Sequence, residues 1–275
     1  MLSILPLNVT TSGRPEQTRE PAPRLASTGP AYREVALPEV LQPYLECLWW
    51  REVAESDPHT LVVPDGCIDL IWSDNAAPLI AGPATKPIVA KLASGSSVVG
   101  VRFRPGIAPR LLDVPAYELL DIHVPLAAVW EGDVRTLRER GEARSDAETR
   151  LSLLAELVGS RIVGTPRPDD DVVRAGRWLM EHRPHRPVQA LAGALFVSER
   201  HLLRRFTQAM GYGPKTFARV MRFQYALRQM TQSSSAPLAQ VATTAGFADQ
   251  AHMTRDFYQL SGLLPSELSR DKTAR

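Results

Sequence analysis

Ser198-Glu199-Arg200-His201-Leu202-Leu203-Arg204-Arg205-Phe206 and, 51 positions later, Asp249-Gln250-Ala251-His252-Met253-Thr254-Arg255-Asp256-Phe257 are one pattern written twice. Each copy opens on a residue whose side-chain oxygen can accept from the free amides of a first helical turn, which marks Ser198 and Asp249 as N-caps. Leu202 with Phe206, and Met253 with Phe257, are i, i+4 pairs, so each pair lies on one helical face and is expected in a core. The opposite face keeps Arg200, His201 and Arg204 in the first copy and Gln250, His252 and Arg255 in the second. An Ala/Leu-rich run precedes each copy, Val188 to Leu195 and Pro237 to Ala245. A short helix, a tight turn and a second helix with a donor-rich face make a helix-turn-helix unit. The two units are expected over 188–206 and 237–257. Solvated surface arginines are the plainer reading of such a face, but two ordered copies in one chain exceed what chance patterning supplies.

Outward from the pair, Pro214 to Met230 reads as one continuous helix with Phe217, Val220, Ala226, Leu227 and Met230 at apolar positions. The ordered pair with this connector resembles the C-terminal DNA-binding domain of the AraC/XylS regulators. The resemblance is carried by Arg-His-Leu-Leu-Arg-Arg-Phe at 200–206, Gly211-Tyr212-Gly213-Pro214, Ala-Gly-Phe at 245–247, Thr-Arg-Asp-Phe at 254–257 and Gly262 to Leu268. It implies sequence-specific binding of double-stranded DNA, with two recognition helices in successive major grooves on one face of the duplex. Arg200, Arg204, Gln250, His252 and Arg255 are the expected base contacts, since Arg pairs bidentately with guanine and Gln with adenine. Ser198, His201, Arg205, Lys215, Arg219, Arg222 and Thr254 are the expected phosphate contacts. Leu203 and Ala251 stand where family members often carry a longer polar side chain; Leu203 either packs on a thymine methyl or contributes nothing. Phe196 stands where the first turn usually has Gly, whereas the second unit keeps Gly246.

Charge agrees with this division. From Asp171 to the end there are 15 Lys and Arg against 7 Asp and Glu, whereas the first 170 residues hold 17 against 23. A basic C-terminal half on an acidic N-terminal half suits a polyanion reader joined to a sensory or assembly domain. Hydrophobic content of 44% and 23% charged residues describe a globular chain without a membrane span, expected in the cytoplasm. The apolar N-terminus lacks a basic lead-in and is broken by Pro6, so no signal peptide is expected.

Residues 1–30, rich in Pro, Thr, Ser and Arg, read as a disordered tail. Residues 31–163 form the expected N-terminal domain. Short runs such as Cys47-Leu48-Trp49-Trp50, Leu61-Val62-Val63, Ile68 to Trp72 and Val98 to Phe103 are separated by turn residues, which suggests a small β-barrel or sandwich. Pro-Asp-Gly-Cys-Ile-Asp-Leu at 64–70, Ala-Gly-Pro at 81–83 and Val-Gly-Val-Arg-Phe-Arg-Pro-Gly at 99–106 look like the cupin-like sensory domain attached to many AraC-type regulators. The fold class is therefore α+β: this domain with C-terminal helices, then an all-α domain with two helix-turn-helix units joined by a linker helix. A clear helical pattern over Ser145 to Val163 is, by the resemblance, a dimer contact. Residues 164–170 read as a linker, and Asp171 to His182 as the next helix, with Val172, Ala175, Leu179 and Met180 inward.

Trp49, Trp72 and Arg102, with Trp50 and Arg104, either line an effector pocket or serve the core and the solvated face. Arg102 and Arg104 flank Phe103, so an inward Phe103 turns both outward. No catalytic constellation appears, and no cofactor is expected. His59, Asp65, Asp69 and His123 lack metal-ligand spacing. Cys47 and Cys67 read as reduced core thiols, with a redox-sensing Cys67 as one alternative function and a protein-interaction module that has lost DNA binding as the other. The implied partners are duplex DNA, RNA polymerase if the protein activates, a small-molecule effector and a second copy of the chain, with no membrane.

Overall fold

The computed structural model describes residues 24–25, 32–54, 59–74, 76–142, 146–163, 165, 171–182, 191–193, 195–232 and 236–270. Strands β1 (Arg24–Leu25), β4 (His59–Val62) and β7 (Ile88–Lys91) form a three-stranded sheet in the order β1-β4-β7. Strands β2 (Tyr32–Val35), β3 (Leu45–Glu52), β5 (Ile68–Ser73), β6 (Leu79–Ala81), β8 (Ser97–Phe103) and β9 (His123–Pro125) form a second sheet, ordered β2-β3-β8-β5-β6-β9. β1 pairs parallel with Thr60 and Leu61 of β4, so regular structure reaches into the stretch read as a tail.

The second sheet is covered on both sides, and this decides the fate of its alternating residues. On β8, Val99, Val101 and Phe103 enter one core, together with Leu48 of β3 and Leu70 and Trp72 of β5. Helices α1 (Ala108–Leu112), α2 (Glu131–Glu142) and α3 (Ala147–Ile162) cover that side. Leu151, Leu154 and Val158 of α3 are buried against this sheet, so the apolar face read as a dimer contact is consumed within the chain. The intervening residues Trp49, Asp69, Val98 and Arg102 face the other way, toward β4 and β7. A sheet sandwiched on both sides hides the polar partner of every inward residue as well.

Helix α4 (Asp171–His182) begins the all-α part where the charge pattern placed it. Val172, Ala175 and Leu179 are buried, but Met180 is 43% exposed, while Gly176, one turn earlier, is buried. α5 (Glu199–Met210), α6 (Pro214–Gln232), α7 (Leu238–Ala245), α8 (Gln250–Ser261) and α9 (Pro265–Arg270) follow. Of the run Val188 to Leu195, residues 191–193 are helical, and Leu195 lies in the turn that follows; Val188, Gln189, Ala190 and Ala194 lie outside the described residues. The repeat extends past its quoted core. α5 ends on Gly211 and α8 on Gly262, both left-handed, and Pro214 and Pro265 start the next helix three residues on.

α6 is the spine of this part. Phe217 meets Phe206 of α5 edge-on, with centroids 5.5 Å apart, and Phe223 meets Phe257 of α8 at 4.7 Å. Six helical positions separate Phe217 and Phe223, so the two anchoring side chains leave α6 about 9 Å apart along its axis and about 120° apart around it.

A candidate nucleic-acid interface on paired helices

Both recognition helices start as their sequence requires. Ser198 Oγ accepts the His201 N–H at 3.2 Å, and Asp249 Oδ1 accepts the His252 N–H at 2.6 Å. The turns before them are also alike. In the second unit, Gly246 and Phe247 donate to Thr243 O and Ala242 O; in the first, Phe196 and Val197 donate to Gly193 O and Ala192 O. This is the Schellman arrangement in both, with Gly246 at φ 85° and Phe196 at φ 55°. Phe196 therefore occupies the glycine position and adopts the glycine conformation, with its ring 96% exposed. The second unit has one more residue, Ala248, between turn and cap.

Arg200, His201, Arg204, Gln250 and Arg255 are exposed on the outer faces of α5 and α8, and Lys215 is exposed at the start of α6. Leu203 lies between Arg200 and Arg204, 53% exposed, its Cδ1 resting over Gly213. Tyr258, 62% exposed and one turn beyond Thr254, is a further outward side chain that the period alone did not single out.

Other expected contacts are turned to structural work. His252 accepts the Ala248 N–H at Nδ1 (3.4 Å), stands edge-on to Phe247 and places Nε2 3.8 Å from Asp256. Arg219 donates to Asp256 at 2.9 Å and also to Gln259, while Arg222 lies over the Phe247 ring. Arg205 pairs with Asp171 at 3.3 Å, and Thr254 Oγ1 donates to Gln250 O. Asp256, only 7% exposed, is the residue that the sequence reading passed over. It and Arg205 hold the same place in the repeat with opposite charge, each tying its recognition helix to a neighbouring helix.

In the N-terminal part, Trp49 and Arg102 line a cavity of about 150 Å³ between the two sheets, whereas Trp72 belongs to the core on the opposite side. Arg102 is bidentate to Asp69, at 3.0 and 2.9 Å, and 3.5 Å from Asp65. It is thus neither core nor solvated, because the face away from Phe103 is covered too. Arg104 lies beyond the strand end, pairing with Glu46 and Gln42 O, and Trp50 packs at the edge of the helical side under Arg33. Burial pushes the Cys47 thiol up to about 12. Burial, with the nearby Asp65 charge, raises Cys67 well above the ordinary thiol range, so both stay protonated, opposite to what a thiolate sensor needs. Among the described residues no group of His, Cys, Asp and Glu could hold a metal ion, and no helix is long and apolar enough to cross a membrane.

Paired, identically capped helices on one spine, each with an exposed donor face, define a tandem helix-turn-helix protein. Residues 191–271 match the helix-turn-helix domain family, and residues 33–125 match a domain of unknown function, DUF6597. The C-terminal part of the chain thus carries a helix-turn-helix domain. Over 123 residues the chain is 29% identical to YbfI, an uncharacterized HTH-type transcriptional regulator of Bacillus subtilis, the overlap covering 42% of this chain and 44% of that one. It thus spans less than half the length of that relative. Two solved structures resemble the C-terminal part: the C-terminal domain of AraT, a response regulator from Geobacillus stearothermophilus (21% identity, TM-score 0.36, 38% of this chain and 88% of that one), and a probable AraC family transcriptional regulator from Rhodopseudomonas palustris (22%, 0.34, 37% and 95%). ToxT from Vibrio cholerae aligns over 89% of this chain and 99% of its own, at 11% identity and a TM-score of 0.46.

Proposed function

We propose that this protein regulates transcription by binding a bipartite duplex DNA site, α5 in one major groove and α8 in the next, under control of an effector held by the N-terminal domain. The observation that carries this reading is the doubled recognition helix itself: the same cap, the same turn and the same inward Phe, with Arg200 and Arg204 outward in one copy and Gln250 and Arg255 in the other. Those four are the proposed base contacts. Lys215, His201 and Ser198 are the proposed phosphate contacts. Arg205, Arg219, Arg222, His252 and Thr254 instead set the pitch of the helices through their contacts inside the domain. α6, at 19 residues, is about 28 Å long and stiff enough to fix the spacing of the two readers. The cavity supports the sensing half of the proposal, since it is lined by residues from both sheets. Leu203, outward between two arginines, is the proposed contact to a thymine methyl.

The test is selection of random duplex DNA by the full-length chain at a fixed salt concentration, because affinity for phosphate changes steeply with salt. Two enriched blocks about one helical turn apart, roughly 34 Å, are expected. Arg204→Ala should erase preference in one block and Arg255→Ala in the other, while Lys215→Ala should weaken all sequences equally. No enrichment, or uniform weakening by both Arg variants, would overturn the assignment.

A further inference from the structure

The cavity between the sheets has a chemistry of its own. Its walls are largely apolar, from Val62, Ile71, Ile88, Leu92 and Val98, with the Trp49 ring on one side. The charged groups in it are already spent. Arg102 is charge-paired with Asp69 and Asp65, and Arg51, 8% exposed, has an interaction of its own. Burial lowers the His123 pKa, so this imidazole is neutral near pH 7. Two uncharged polar atoms on its walls lack a hydrogen-bond partner, Trp49 Nε1, which is turned toward Asp69, and Thr60 Oγ1, on a residue 3% exposed. A buried hydroxyl without a partner is costly unless something meets it. An ion entering this space would be desolvated with no counter-charge free to receive it. A cavity of about 150 Å³ admits a molecule of benzene size.

One wall of the cavity is also a joint. In the turn from Pro64 to Cys67, Asp65 Oδ1 accepts the Cys67 N–H at 2.9 Å, and both side chains line the cavity. The other side of the same turn rests on α6: Pro64 O accepts from Gln224 Nε2 at 2.6 Å. Gly66, at φ 83°, leaves room for Phe217 and Met221, whose nearest atoms stand 3.0 Å from where a Cβ would be. Phe217 is the residue that holds Phe206 of α5.

We propose that the space between the sheets is a binding site for an uncharged, mostly apolar monocyclic molecule carrying one hydroxyl or carbonyl group, which bonds Thr60, and that α6 reads its occupancy through the Pro64–Cys67 turn. This inference rests on the sensing role proposed above and gives it a ligand class and a route.

The test uses the full-length protein without DNA, following tryptophan fluorescence and thermal stability during titration with benzyl alcohol, phenol and cyclohexanone, against benzoate and benzylamine as charged counterparts. Saturable binding of an uncharged probe is expected, with the ions at least about tenfold weaker. Thr60→Val, which keeps the shape and removes the unmet hydroxyl, should raise the melting temperature of the empty protein or leave it no lower, and weaken the uncharged probe by about tenfold. Binding by none of the uncharged probes, preference for an ion, or indifference to Thr60→Val would overturn the site. A second arm compares affinity for a selected duplex with and without saturating probe. A shift of at least about fivefold is expected, reduced in Gln224→Leu with probe affinity unchanged. No shift, or an undiminished one in that variant, would overturn the route. Because the first arm contains no duplex, a failure of DNA binding and a failure of ligand binding are read separately.

Discussion

At Phe196 a bulky residue is held at φ 55° with its ring in solvent, so strain is incurred there without packing in return. Left-handed backbone costs a non-glycine residue about 1–3 kcal/mol, and glycine gives part of that back as entropy of the unfolded chain. Phe196→Gly should therefore stabilise the protein by about 1 kcal/mol in urea denaturation, a gain that a flexible or extended turn would not show. The sequence made the missing glycine visible, but whether the turn would bend or keep its shape depended on the hydrogen bonds to Ala192 and Gly193, which no local pattern records. His123 gives the residue-scale pH effect. Burial holds its pKa below the ordinary 6.5, so below that pH the unfolded chain binds a proton that the folded one refuses. Stability from this group is complete above about pH 6.5 and is lost as pH falls through the folded value. Urea melts at pH 7, 6 and 5 should show that decline, with a shallower slope in His123→Gln.

Among the elements, the two recognition helices were the most legible. Their caps, their buried Leu202/Phe206 and Met253/Phe257 pairs and the bounds of α4 and α6 follow from residues a turn or two apart, where spacing and chemistry act directly. The ties between helices were not legible. Asp256 finds Arg219 on α6, 37 positions earlier, and its counterpart Arg205 finds Asp171 with the charges exchanged, so the repeat hides the equivalence. For the same reason His252 read as a base contact although it is drawn into its own turn by Ala248, Phe247 and Asp256. Asp256→Ala leaves Arg219 and Arg222 facing a gap and should cost about 2 kcal/mol, less than a fully buried pair because Arg219 is partly exposed. Arg205→Ala, at a pair about a third exposed on both sides, should cost well under about 1 kcal/mol. Chemical denaturation of the two variants side by side checks the contrast; equal losses would mean that Asp256 does not anchor α8.

At the scale of the whole molecule, the number of covered sheet faces was the quantity that alternation could not supply. Period two separates Phe103 from Arg102 but does not say whether the second face meets water, and here it meets another sheet. That difference moved Trp72 out of the expected pocket, kept Trp49 and Arg102 in it, and removed Arg104 altogether. The burial of α3 was likewise invisible, since an apolar helical face looks the same whether it is spent on its own chain or on a second copy. The contact at Gly66 has a consequence for how such proteins can be recombined. The turn fits α6 because Gly66 has no side chain where Phe217 and Met221 press, and Gly211 is shaped in the same way around Pro83 and Ala116. The two halves are thus a matched set, not interchangeable modules: a chimera joining this N-terminal half to another protein's helix-turn-helix half inherits a socket without its plug.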